Sequence, residues 1–242
     1  MALTVVNING FNSAATTSYN SGSYGVFPLG HLLVICLGYD NSGTAGADPF
    51  ISITNAGPNP SVWVPRQVAL YDPGAASAGV TLRLFTCLVV DDQNVINFTI
   101  SFTNSAALMG HFRYISANTS GFVPTYVTGG VSVGAATATP TITTTSIASG
   151  NVVVGAGASE SANTWVGDTD TTNGSWSAQY AFAQGSGATG IAITTQHKIV
   201  TAAGTQTYNP TLTAADRILA WIEIAEIAAA LRPKMTMLLG VT

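Results

Sequence analysis

The stretch Ile96-Asn-Phe-Thr-Ile-Ser-Phe-Thr103 alternates without a break. Ile96, Phe98, Ile100 and Phe102 fall on one side, with Asn97, Thr99, Ser101 and Thr103 on the other. A strict period of two marks an antiparallel strand with one dry and one wet face. Its neighbours read the same way. Leu82, Leu84, Leu88 and Val90 alternate around Thr86, and Ile191, Ile193 and Ile199 are opposed by Gln196 and Lys198. Further strands are expected over residues 31–39, 50–55, 62–70, 111–116, 152–156 and 177–183. Between them lie turn-forming runs at 40–43, 57–60, 72–74, 173–174 and 185–187, rich in Gly, Pro, Asn and Asp. Short strands without helical patterns between them predict an all-β fold, an antiparallel β-sandwich or jelly roll.

Composition agrees and excludes several classes. Of 242 residues, 7% are charged, against about 25% in an ordinary domain. Disordered chains are charged and poor in apolar residues, whereas this one is 47% hydrophobic. Seven basic residues against 11 acidic ones give a net charge of −4, with no basic footprint for nucleic acid. Two cysteines make no disulfide scaffold. Mean hydropathy is +0.35, yet the run 32–37 is too short to span a bilayer. The long charge-free run 114–159 is mostly Thr, Ser, Gly and Ala, and with no cationic stretch before an apolar segment near Met1 no signal peptide is expected. No membrane insertion is expected. Threonine replaces charge here, and its branched side chain suits a pleated surface.

The expected organisation is an N-terminal arm over 1–27, a single β-sandwich domain over 28–230 and a C-terminal arm over 231–242. Residues 136–149 read either as a linker between two half-domains or as an extended edge crossing the sandwich. Thr213-Ala-Ala-Asp216 permits a helix start, but a closing strand over 217–227 is preferred. In that strand Ile218, Ala220, Ile222 and Ile224 face one way, with Leu219 and Trp221 on the other, as in a strand buried on both faces. The C-terminal arm carries Met235, Met237, Leu238 and Leu239. A finished sandwich offers it no obvious groove, so the arm is expected either to dock on a neighbouring copy or another protein of the same assembly, or to fold back as an apolar tail along its own sandwich.

Several segments together carry a family resemblance: residues 30–41, the Trp63 strand, residues 80–90 and 98–102, Asn151-Val-Val-Val-Gly-Ala156, Asn173-Gly-Ser-Trp-Ser177, and 216–224. Their order resembles the β-sandwich proteins of tailed bacteriophages, of minor tail or fibre type, whose sandwich is similar to concanavalin-like lectins. The resemblance implies a virion structural protein: a tail, fibre or surface decoration subunit, assembled in the bacterial cytoplasm and without enzyme activity. Its partners would be itself, as a homo-oligomer and a trimer if a fibre, other virion proteins, and a host surface glycan. Family members often carry this sandwich within longer chains. A lectin-like glycan-binding module is the alternative, and a glycan hydrolase a distant third.

The residues offer few sites. Glycosidases pair two carboxylates across a sugar, but Glu223 and Glu226 sit three apart, on opposite faces of a strand, and Glu160 lies in a small-residue loop. Asp168-Thr-Asp170 before Asn173-Gly174 is a partial oxygen-ligand pattern without the closing bidentate carboxylate, so turn capping is the simpler reading and no metal or cofactor is expected. Asp91-Asp92 is likewise a turn. His31, His111 and His197 are scattered, and His197 shares a face with Ile193 and Ile199, as a hydrogen-bonded, partly buried ring would. Cys36 and Cys87 lie in apolar strands; free thiols are favoured, with a bridge left open. A glycan would stack on Trp165 and Trp176, which bracket the loop, and hydrogen-bond Asp168, Asp170 and Asn173; the competing reading makes both tryptophans core.

Overall fold

The structure, a computed structural model, describes residues 3–41, 48–55, 62–71, 79–90, 96–186 and 190–229. The described chain is all β, with no helix. Two antiparallel sheets face each other. The first runs β1 (Thr4–Asn20), β6 (Phe98–Ser116), β2 (Leu32–Asp40), β5 (Val80–Leu88) and β4 (Val64–Tyr71), with β3 (Phe50–Asn55) beside the start of β6. The second runs β11 (Tyr180–Gln184), β12 (Ile191–Ile199), β9 (Val152–Glu160), β15 (Ala215–Ala228) and β7 (Phe122–Thr137). Val34, Cys36, Leu82, Leu84 and Met109 of the first sheet pack on Val154, Ala156, Ile193, Ile218 and Ile222 of the second.

Both sheets are also buried on their outer faces. Outside the first, Leu33, Ile35, Leu37, Phe85 and Phe112 pack with Phe11, Phe27 and Trp63. The chain after β1 holds this cover down through Tyr24 N–H to the Ile96 carbonyl at 2.9 Å and Ile96 N–H to the Gly25 carbonyl at 3.0 Å. The strand expected over 96–103 is observed from Phe98 as the start of β6, but its dry face, Phe98, Ile100 and Phe102, serves this outer aromatic core rather than the inter-sheet one. Outside the second sheet lie two small ladders. β8 (Ile142–Ile147) pairs with β13 (Gly204–Tyr208), and β10 (Trp165–Val166) with β14 (Thr211–Leu212). They cover Val153, Leu219 and Trp221.

Two expectations are corrected and one alternative is decided. The N-terminal arm is largely a strand, since β1 pairs with β6 from Thr4↔Ser116 to Asn20↔Thr99. Thr, Ser and Asn at its exposed positions meet water while the ladder satisfies the backbone. Residues 111–116 are no separate strand but the end of β6, which bends through register shifts near Ala106. Residues 136–149 do not link two half-domains: 136–137 end β7, and β8 crosses the outside of the second sheet, in keeping with the extended-edge alternative. The closing strand is β15, between β9 and β7, with the two-faced burial its sequence expects. The C-terminal arm, Asp91-Asp92 and the turns at 57–60 and 72–74 lie outside the described residues.

Candidate functional site

The loop between β10 and β11 holds the candidate glycan contact, weighed against a core reading of its tryptophans. Its tryptophans are core: Trp165 is 3% and Trp176 is 8% exposed, packed among Ile142, Tyr208 and Leu212. Trp176 donates to the Thr207 carbonyl at 3.2 Å. With both rings covered by the outer ladders, neither offers a face for a sugar to stack on.

The polar residues of this loop hold the loop itself. Asp170 N–H donates to Asp168 Oδ1 at 2.7 Å, and Thr172 N–H to Asp170 Oδ1 at 3.1 Å, so each aspartate caps the backbone two residues on. Asp168 Oδ2 also accepts from the Asn209 amide at 2.8 Å. Gln196 accepts from Asp168 N–H at 2.7 Å and donates to the carbonyls of Asp168 and Ser177 at 2.9 Å. The turn closes through Gly174 N–H to the Thr171 carbonyl at 3.2 Å, with Asn173 at φ 57° and Gly174 at φ 122°. Of the five sequence-selected residues, Asp168 and Asp170 form a polar staple, Asn173 supplies the turn, and Trp165 and Trp176 are core beneath it.

Lys198 completes the staple. Its side chain is fully buried, its ammonium 3.0 Å from both Asp170 Oδ2 and the Thr172 carbonyl, and it lies over the Trp176 ring. Burial tends to raise the Asp170 carboxyl, but hydrogen bonds from Lys198 and Thr172 outweigh it and hold it below its ordinary value. The cation these carboxylates face belongs to the chain. No group of three or more His, Cys, Asp or Glu able to hold a metal occurs among the described residues.

A second polar cluster lies between the sheets, where sequence reading named only its histidines. Arg113 is fully buried, and its Nη2 bonds His111 Nδ1 at 2.7 Å and, more closely still, Thr195 Oγ1. Its Nε and Nη1 have no hydrogen-bond partner, nor do His111 Nε2 and His197 Nδ1. The hydrogen bond expected for the His197 ring is thus missing at Nδ1. Tyr180 stacks on His111 with centroids 3.7 Å apart. Burial, aided by Arg113 and His197, pushes the His111 imidazole down to about 2; burial and Arg113 lower His197 to about 4. Both rings are therefore neutral beside the guanidinium, and burial lowers Arg113 itself. The available signal was phase, since Arg113 alternates with Met109, His111 and Ile115.

The remaining candidates are separate. Glu223 accepts from Asn151 at 2.6 Å, while Glu226 accepts from the Thr119 amide and hydroxyl, both at 2.9 Å. Burial opposes ionisation of Glu226, but those bonds and the Asn118 amide prevail and lower its pKa. Cys36 and Cys87 are buried on opposite faces of one sheet and do not bridge each other. Burial pushes the Cys36 thiol up to about 11, against the pull of Arg113.

Comparisons with protein-family models, with curated proteins and with solved structures return no match.

Proposed function

We propose that this chain is an assembly subunit without catalytic function, a structural protein of a bacteriophage virion. It would be a minor tail, fibre or surface decoration subunit, built in the host cytoplasm and joined to copies of itself. The observation that supports assembly most is the edge strand β7. It pairs only with β15 among the described residues, and none of its 16 residues is charged. Val127, Val131 and Val133 stand exposed along it. Edge strands are normally blunted by lysine or other charges, and a long uncharged one is a template for another chain. At the opposite flank β1 is a second edge, 17 residues long and also uncharged, though broken by register shifts. Two such edges on opposite flanks suit repeated head-to-tail contacts. The viral setting rests on the resemblance of segment order stated above, whose segments include most of β2, β5, β9 and β15.

Sedimentation across a wide concentration range tests the assembly reading. The native chain should associate, and Val131→Lys with Val133→Lys should shift it to monomer without altering its circular dichroism. A native chain that stays monomeric at the highest concentration refutes it. Labelled antibody on intact phage particles tests the virion setting.

A further inference from the structure

The last described residues of β15 open onto an apolar groove. Leu29, Leu88, Val90, Phe122, Val123 and Ile227 line a cleft of about 770 Å³, and Ala228 and Ala229 form part of its wall. Leu29 is 61% exposed and Ile227 45%, and no lining side chain is an acid, a lysine or an arginine. Ala229 N–H donates to the Gly121 carbonyl at 2.7 Å, so the chain is held where it leaves this wall. A contiguous exposed apolar surface of this kind marks a binding site. A groove therefore does exist on the chain's own sandwich, which the fold-back reading of the C-terminal arm requires.

We propose that this groove is the docking site of the chain's own C-terminal segment, residues 231–242. That segment lies outside the described residues and follows the groove wall after one further alanine. Fully extended, the 13 residues 230–242 reach at most about 43–47 Å, enough to turn back along the cleft. Leu231, Met235, Met237, Leu238, Leu239 and Val241 supply apolar side chains, and the segment has no acid. Methionine adapts to an irregular wall. The tether decides between this chain and a second copy. A short linker presents the segment at an effective concentration in the millimolar range, which a free copy does not match in dilute solution.

Photocross-linking of the full chain tests this. Leu238 is replaced by benzoylphenylalanine in an equal mixture of light- and heavy-isotope protein, and the products are mapped by mass spectrometry. The expected cross-links join residue 238 to segments 29–31, 88–90 or 122–123 within one isotope label. Phe122→Ser and, independently, Leu29→Ser should each lower their yield by about tenfold, as loss of one apolar contact does. Mixed-label products would assign the groove to a second copy. Those products, attachment elsewhere, no cross-link, or a yield unchanged in both variants would each overturn the proposal.

Discussion

Lys198 and Arg113 are both buried cations, and their surroundings predict opposite mutational outcomes. Lys198 has a carboxylate and a carbonyl at 3.0 Å, so Lys198→Met strands Asp170 and frees the loop. Asp170 keeps a third of its side chain in water, which softens the penalty. A loss of about 2 kcal/mol is expected in urea unfolding. Arg113 has no carboxylate partner in the contacts described above, and two of its nitrogens lack any hydrogen-bond partner. Arg113→Met removes that desolvation cost, while Thr195 Oγ1 and His111 Nδ1, 2.9 Å apart, still bond each other. Stability should stay level or rise by about 1–2 kcal/mol in the same assay. A large loss would mean that the guanidinium is compensated by a group not described. The histidines predict acid lability. Their folded pKa values lie below the unfolded value of about 6.5, so the unfolded chain binds more protons at mildly acidic pH. Their contribution is full above pH 6.5 and falls as pH drops toward about 4 for His197 and about 2 for His111. Each can remove up to about 1.4 kcal/mol per pH unit in that window. Urea midpoints from pH 7 to 4.5 check it, and His197→Gln should flatten the slope.

At the scale of single strands, β9 shows what its sequence implies and what it conceals. Its inner face, Val152, Val154, Ala156 and Ala158, is apolar, while Gly155 and Gly157 lie on the outer one. A Cβ at Gly155 would meet the Tyr208 ring at 2.9 Å, and one at Gly157 would meet Trp165 at 3.0 Å. Gly155→Val should therefore cost about 1–3 kcal/mol by urea unfolding, and should unseat β13 before β9 in hydrogen exchange. Glycine within a strand is a sign of close approach, so the cover was hinted at even though its identity was not. The two-faced pattern of β15 was legible because both faces are apolar and leave little choice of environment. β1, β7, β8 and β13 were not, since their Thr, Ser, Gly and Asn alternate weakly and their pairing is decided by distant partners. The same gap left the tryptophans open between a sugar face and the core. Trp165 and Trp176 flank a polar loop in sequence, and only the cover formed by residues 142–147 and 204–212, far off along the chain, shows them to be core. Lys198 read as a wet-face residue for the same reason.

Across the whole molecule, burying both faces of the central strands accounts for much of the scarcity of charge, though not for the uncharged edges β1 and β7. An ordinary sandwich turns two sheet faces to water, whereas here an aromatic cover lies over one and small ladders over the other. Charged side chains are left to loops, strand ends and a few paired interior positions, and uncharged strands become affordable everywhere else. The place of β15 carries a further consequence for biosynthesis. It is the partner of both β9 and β7, yet roughly 80 residues separate the end of β7 from its start. At about 5–20 residues per second, the ribosome takes some 4–16 s to make that interval. Throughout it β7 is without its ladder, and β9, once made, lacks both partners until β12 is complete and one of them until β15 is, so the nascent chain presents unpaired strands before the partner that joins them exists. Slowing translation within 138–214 should therefore lower the soluble yield without changing the equilibrium stability of the protein that does fold.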